Sequence, residues 1–219
     1  MTPEEFLGFL WEERVVAIIR ASTEEQARSA ADAAIRGGFR AVEFTMTTPG
    51  VLELVAETAD RPGIVVGAGT VLSTGDAREA VAAGAKFVVS PVMDETVIAQ
   101  AAELKVTAVP GCHTPTEMWR AHRAGAPLVK LFPAAANGPD AVRSILGPMP
   151  FLRIVPTNGV REENVVEYLA AGAFAAGFVR ALFDPADVAH GRWDAVAARA
   201  RRMRELAHSV ARSQPPLIA

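Results

Sequence analysis

Apolar residues in this chain cluster in short continuous runs, each set between stretches of helical pattern. Four runs follow a small-Gly-small segment: GGFRAVEF from Gly37, AGAKFVVS from Ala83, AGAPLVKLF from Ala124 and AGAFAAGF from Ala171. Their shared glycines, Gly38, Gly84, Gly125 and Gly172, lie 46, 41 and 47 residues apart. Each follows an Ala-rich helical stretch, so the glycine marks a helix C-terminus and the run after it reads as a buried strand. Four more runs lie midway between these, at Val15–Ile19, Ile64–Gly69, Val106–Gly111 and Phe151–Pro156. Ser22 with Glu25, and Thr114 with Glu117, have capping-box spacing for the helices that follow two of them.

Eight apolar strands alternating with helices predict a parallel sheet covered on both faces. In a chain of 219 residues this pattern fits a compact (β/α)8 TIM barrel. An open doubly wound sheet is the structural rival, and the near-fourfold repeat favours closure. Pro3–Glu13 reads as an N-terminal helix placed to plug the barrel floor. Gly191–Ser213 reads as a final amphipathic helix with Trp193, Val196, Met203, Leu206 and Val210 on its apolar face. The tail at 214–219 is expected to be loose. No linker divides the chain, so residues 1–219 are expected to form one domain, with the N-terminal helix within 1–13.

Composition narrows the function. Half of the residues are hydrophobic and 21% are charged, enough apolar material for a large core. A net charge of −3 provides no basic surplus for phosphates along a duplex, so no nucleic-acid partner is expected. The single cysteine, Cys112, fits a reducing compartment. The acidic N-terminus does not resemble a secretory signal, and no apolar run reaches the roughly 20 residues that span a bilayer. The expectation is a cytoplasmic enzyme.

Counting five residues on from each repeated glycine reaches Glu43, Val89, Lys130 and Gly177. Equivalent strand positions in such a barrel contribute to one shared layer of side chains. That layer would hold a carboxylate and an amine, which are expensive at core positions unless paired or used. A structural ion pair is the plain alternative. Only three of the 22 basic residues are lysines: Lys86, Lys105 and Lys130. An amine kept inside LVKLF does what arginine cannot, because a free primary amine can attack a carbonyl. An apolar surround disfavours the ammonium form. Glu43 falls near the C-terminal end of the second strand, the face where such folds place catalysis, and could shuttle protons for the amine.

Other candidates are weaker alone. Thr157-Asn158-Gly159 ends the seventh strand, where Asn-Gly readily takes positive φ and can turn N–H groups toward an anion; an ordinary tight turn explains it equally well. Gly67–Thr70 offers close backbone approach and a hydroxyl. Arg20 ends the first strand and could clamp a carboxylate. The four histidines form no ligand pair, so no metal site is expected. Trp11, Trp119 and Trp193 lie in helical segments and read as packing residues.

These stretches resemble a known family. VVAIIRAST, GGFRAVEFTMTTP, GAGTV, VVSP, VPGCHTPTE, VKLFPA and VPTNGV are similar to those of the 2-keto-3-deoxy-6-phosphogluconate (KDPG) / 4-hydroxy-2-oxoglutarate (KHG) aldolases, class I lyases on a (β/α)8 barrel. The likeness runs from about Val15 to Leu182. It implies Lys130 as the Schiff-base lysine and Glu43 as the general acid/base. It implies Thr70 with an arginine at the pyruvate carboxylate. Many relatives carry that arginine where this chain has Thr47, and others at the end of the first strand, so the role passes to Arg20, with Thr47 kept among the substrate-binding positions. Phe132 would pack beside the imine, and Thr157 matches a position linked to stereochemical preference.

Two departures affect the far end of the substrate. The family's phosphate loop usually reads Thr-Gly-Gly, against Thr157-Asn158-Gly159 here. Its Gly-Ser pair after the eighth strand is replaced by Val179-Arg180. The resemblance implies cleavage of KDPG, or KHG, to pyruvate and an aldehyde, without a cofactor or metal, in a homotrimer. A related non-phosphorylated 2-keto-4-hydroxy acid, or a catalytically silent barrel that binds sugar acids, stays open as an alternative.

Overall fold

The protein is described here from a computed structural model, covering residues 1–134 and 138–211. The tail expected to be loose, 214–219, lies outside the described residues. Helix α1 (Pro3–Glu13) precedes β1 (Val15–Ile19), and strands and helices then alternate: α2 (Glu24–Arg36), β2 (Ala41–Thr45), α3 (Val51–Ala59), β3 (Val65–Gly69), α4 (Thr74–Ala82), β4 (Phe87–Val89), α5 (Glu95–Glu103) and β5 (Thr107–Val109). The second half continues with β6 (Gly111–Cys112), α6 (Pro115–Arg123), β7 (Val129–Leu131), α7 (Gly138–Leu146), β8 (Ile154–Pro156), α8 (Val165–Ala170), β9 (Ala176–Phe178), α9 (Pro185–Ala189) and α10 (Trp193–Ser209).

The strands are parallel throughout and form two sheets. A curled six-stranded sheet runs β5-β4-β3-β2-β1-β9, and a three-stranded sheet runs β6-β7-β8. The unbroken eight-stranded ladder expected from the sequence is thus interrupted twice. Pro110 separates β5 from β6, and proline has no N–H to carry a ladder forward. Its carbonyl still accepts from the Lys130 N–H at 2.9 Å. Between β8 and β9 the contact narrows to a single parallel bridge, Thr157 with Gly177.

The repeated glycines work as helix stops, one residue beyond the cap. Gly38, Gly84, Gly125 and Gly172 have φ of +97°, +114°, +92° and +101°. After each, the next N–H reaches back five residues, as from Phe39 to Ala34 O (3.1 Å) and from Ala126 to Ala121 O (3.0 Å). These bonds satisfy carbonyls that the helix end would orphan, and the left-handed glycine suits them because it has no Cβ. One capping prediction moves. The α2 cap is Thr23, whose hydroxyl accepts from the Gln26 N–H, while Ser22 bonds the Gln26 side chain. Thr23 already has the extended backbone a cap needs, φ −138° and ψ 156°. The Thr114–Glu117 capping box forms.

Two apolar layers result. The outer one packs helices on strands, for example Val42 and Phe44 against Ala27, Ala30 and Leu54. The inner one is closed at the N-terminal ends of the strands by α1, whose Phe6, Leu7 and Leu10 pack with Val16, Phe87, Val109 and Val155. Phe6 stacks on Phe87 at 4.7 Å. Trp11 packs on Phe174 at 5.2 Å, whereas Trp119 stays 43% exposed. Leu10 is 2% exposed, so Leu10→Ala should open a cavity under the site and cost about 3 kcal/mol. Thermal unfolding would then fall by roughly 6–12 °C; a shift under about 2 °C would show that α1 is not a structural plug.

Candidate active site

Parallel strands bring all their C-terminal ends to one face, and a cavity of about 410 Å³ opens there. It is lined by Ile18, Arg20, Glu43, Thr45, Thr70, Pro91, Lys130, Phe132, Thr157, Asn158, Val179 and Arg180. Alternation along β2 explains two of these. Val42 and Phe44 face the helices, which sends Glu43 and Thr45 inward. The four positions five residues beyond the repeated glycines, Glu43, Val89, Lys130 and Gly177, all line a smaller chamber beneath the cavity, above Phe6 and Leu10.

Lys130 Nζ lies 3.9 Å from Glu43 Oε1, and the two residues are 8% and 2% exposed. That separation is an ion pair without a hydrogen bond, and Glu43 Oε1 has no hydrogen-bond partner among the described residues. Burial pushes the Glu43 carboxyl above its ordinary value, against opposing pulls from Lys130 and, less strongly, Arg20. Gly69 makes room for the carboxylate, since a Cβ there would collide with Glu43 Oε1. Lys130 Nζ also stands 5.3 Å from the centre of the Phe132 ring. A second buried acceptor, Thr157 Oγ1, is likewise unpaired.

Around this pair sit the remaining polar groups. Arg20 Nη2 donates to Thr70 Oγ1 at 3.3 Å, and Thr70 takes the positive φ of 58°. The loop after β8 is pinned from both sides. The Ala134 N–H donates to the carbonyls of Thr157 and Asn158, each at 3.0 Å, and Tyr168 Oη donates to Ala134 O at 2.6 Å. Asn158 and Gly159 have φ of +60° and +138°. Arg180 is exposed. Cys112, by contrast, is buried and its thiol is pushed up to about 12, chiefly by burial, which makes it inert at neutral pH.

Eight of the ten residues singled out from the sequence line the cavity: Arg20, Glu43, Thr70, Lys130, Phe132, Thr157, Asn158 and Arg180. Two do not. Thr47 is exposed in the turn after β2, with its hydroxyl 3.0 Å from Thr45 Oγ1, and Gly159 lies behind Asn158, outside the lining. Thr45 was missed. Its place two residues after Glu43 on a strand was the available signal, since period-two alternation puts both on one face. Among the described residues no group of three or more His, Cys, Asp or Glu side chains is arranged to hold a metal ion. No helix among them is long and apolar enough to cross a membrane.

Residues 8–199 match the family model described as "KDPG and KHG aldolase". The chain belongs to that family. It is 35% identical over 178 residues to a probable 2-dehydro-3-deoxy-6-phosphogalactonate aldolase of Rhizobium meliloti, covering 80% of this chain and 84% of the relative. It is 40% identical over 162 residues to a 2-dehydro-3-deoxy-phosphogluconate aldolase of Treponema pallidum, covering 72% and 76%. Among solved structures it is similar to the KDPG aldolase of Legionella pneumophila, captured with pyruvate as a covalent carbinolamine intermediate. That match has a TM-score of 0.79 at 26% identity and covers 94% of this chain and 98% of the other. Membership of this family makes the chain a lyase of the aldolase type.

Proposed function

We propose that this class I aldolase cleaves a 2-keto-4-hydroxy acid with Lys130 as imine-forming nucleophile and Glu43 as general acid/base, without a cofactor. The free amine of Lys130 attacks the C2 ketone, and loss of water from the carbinolamine leaves an iminium ion. Glu43, directly or through one water, takes the proton of the C4 hydroxyl. The C3–C4 electron pair moves into the iminium, C4 departs as an aldehyde, and an enamine remains on Lys130. Return of the proton to C3 and hydrolysis of the iminium release pyruvate and restore the amine.

The observation that carries this reading is the 3.9 Å approach of Nζ and Oε1 on a buried floor open to the cavity. The gap is wide enough for the pair to act on a small ketone rather than lock onto each other. Arg20 and Thr70 hold the keto-acid carboxylate, Phe132 covers one face of the imine, and Thr157 lies against the reacting carbons. At the far end Asn158 and Arg180 meet the anionic terminus of KDPG or KHG. We also read the two sheets as one closed (β/α)8 barrel and a single domain. The short gap at Pro110 and the Thr157–Gly177 bridge support closure. A cytoplasmic homotrimer follows from family analogy alone.

Borohydride added with pyruvate should reduce the imine and leave a stable adduct on Lys130, located by peptide mass mapping. Pyruvate release from KDPG and from KHG, measured in parallel, ranks the substrates. An enzyme that releases pyruvate yet never traps an adduct would overturn the imine mechanism.

A further inference from the structure

Arg20, Thr45 and Thr70 stand side by side on three neighbouring strand ends. The β1–β2 register pairs Ile19 with Phe44, and the β2–β3 register pairs Thr45 with Gly69, so the next residues outward from β1 and β3 are Arg20 and Thr70. All three line the cavity. Thr45 is 1% exposed, and its hydroxyl lies 3.0 Å from Thr47 Oγ1 and 3.2 Å from Thr48 Oγ1. Thr48 is 2% exposed and accepts from the Ala21 N–H at 3.4 Å.

These bonds have a direction. A hydroxyl holds one proton and two lone pairs. The amide of Ala21 can only donate, so Thr48 Oγ1 is its acceptor. Thr48 then has its own proton to place, and Thr45 Oγ1 is the acceptor within reach among the described residues. In the arrangement that gives every one of these groups a partner, Thr45 accepts the Thr48 hydrogen bond and keeps its own proton to donate. Within the chain that proton has Thr47 Oγ1 as a neighbour, an exposed group that water can satisfy instead.

We propose that Thr45 is a carboxylate-binding residue of this site, its hydroxyl proton aimed into the cavity by Thr48 as a positioning residue. The inference rests on the reading above that a 2-keto acid occupies the cavity. A carboxylate carries about four acceptor positions. Arg20 and Thr70 supply donors from one side, and Thr45 supplies one from the neighbouring strand. Because Ala21 directly follows Arg20, the same Thr48 hydroxyl tethers the backbone beside that arginine, so one buried threonine sets two donors at once. A hydroxyl already accepting one hydrogen bond donates a stronger one.

The test is the pyruvate concentration that half-saturates borohydride trapping in the full-length enzyme. Thr45→Val should raise it about tenfold and Thr48→Val about threefold. Thr45→Ser and Thr48→Ser, which keep the hydroxyls, should stay within about twofold of wild type. In Thr45→Val/Thr48→Val the effects should multiply only in part, because part of what Thr48 does passes through Thr45. Melting curves separate this from misfolding, and Thr45→Val alone decides the binding role if Thr48→Val fails to fold. Unchanged half-saturation in folded Thr45→Val, or full multiplication in the double variant, overturns the inference while trapping in the wild type leaves the imine reading intact. No trapping in the wild type defeats both.

Discussion

Lys130→Arg is expected to lower kcat by about 10⁴- to 10⁶-fold, the usual scale for removing a covalent nucleophile. The substitution keeps a positive charge beside Glu43 and much of the side chain's length, so it isolates nucleophilicity from electrostatics. A guanidinium stays protonated at any working pH and has no lone pair to offer a ketone. Trapping by borohydride should vanish in the same variant. Lys130→Met should be as inactive but should also leave the buried Glu43 carboxylate with less compensation, because Lys130 is the larger of the two charges that favour its ionised form. The check is a coupled pyruvate assay with mass mapping of the trapped protein. If Lys130→Arg kept more than about a hundredth of wild-type turnover, far above the level that loss of a nucleophile allows, Lys130 would be an electrostatic residue and the nucleophile would have to be sought elsewhere.

Much of this site is legible in the chain because backbone constraints repeat. A helix that must stop and hand over to a strand needs a left-handed residue, and Gly38, Gly84, Gly125 and Gly172 supply it with φ near +100°. Counting from those glycines lands on one tier of the strands, which is how Glu43 and Lys130 can be placed together without coordinates. Long-range hydrogen bonding is harder to read. The break at Pro110 turns on one missing N–H, and nothing in the VTAVPG pattern says whether neighbouring strands will span it. Hydroxyls are harder still. Thr45, Thr47 and Thr48 look alike in TMTT, yet only Thr45 enters the cavity, because strand alternation ends at Thr45 and a turn begins at the next residue. Ser22 and Thr23 differ in the same way. Both are good caps by type, and the chain's local φ and ψ select Thr23.

Glu43→Gln should cut kcat by about 10²- to 10⁴-fold, the range for losing a positioned acid/base group, while imine formation at Lys130 survives in trapping experiments. The pH profile carries the sharper distinction. Glu43 must be ionised to take the C4 hydroxyl proton, and burial holds its carboxyl above the ordinary value of 4.5. Activity limited by this base should therefore fall as the solution is acidified through a midpoint above 4.5, and the residual activity of Glu43→Gln should lack that acidic limb. Stability should respond in the opposite sense. A carboxyl whose pKa is higher in the folded than in the unfolded chain binds more protons when folded, so folding weakens as pH rises from about 4.5 through the folded midpoint. Glutamine carries no such charge. The melting temperature of Glu43→Gln should gain on wild type across that window and hold its lead above it. The active site would then keep a carboxylate that weakens the fold, as a group retained for chemistry is expected to do. An acidic limb that persists in Glu43→Gln would place the proton transfer on another group, and a stability difference that shrinks with rising pH would show that folding does not raise the Glu43 carboxyl.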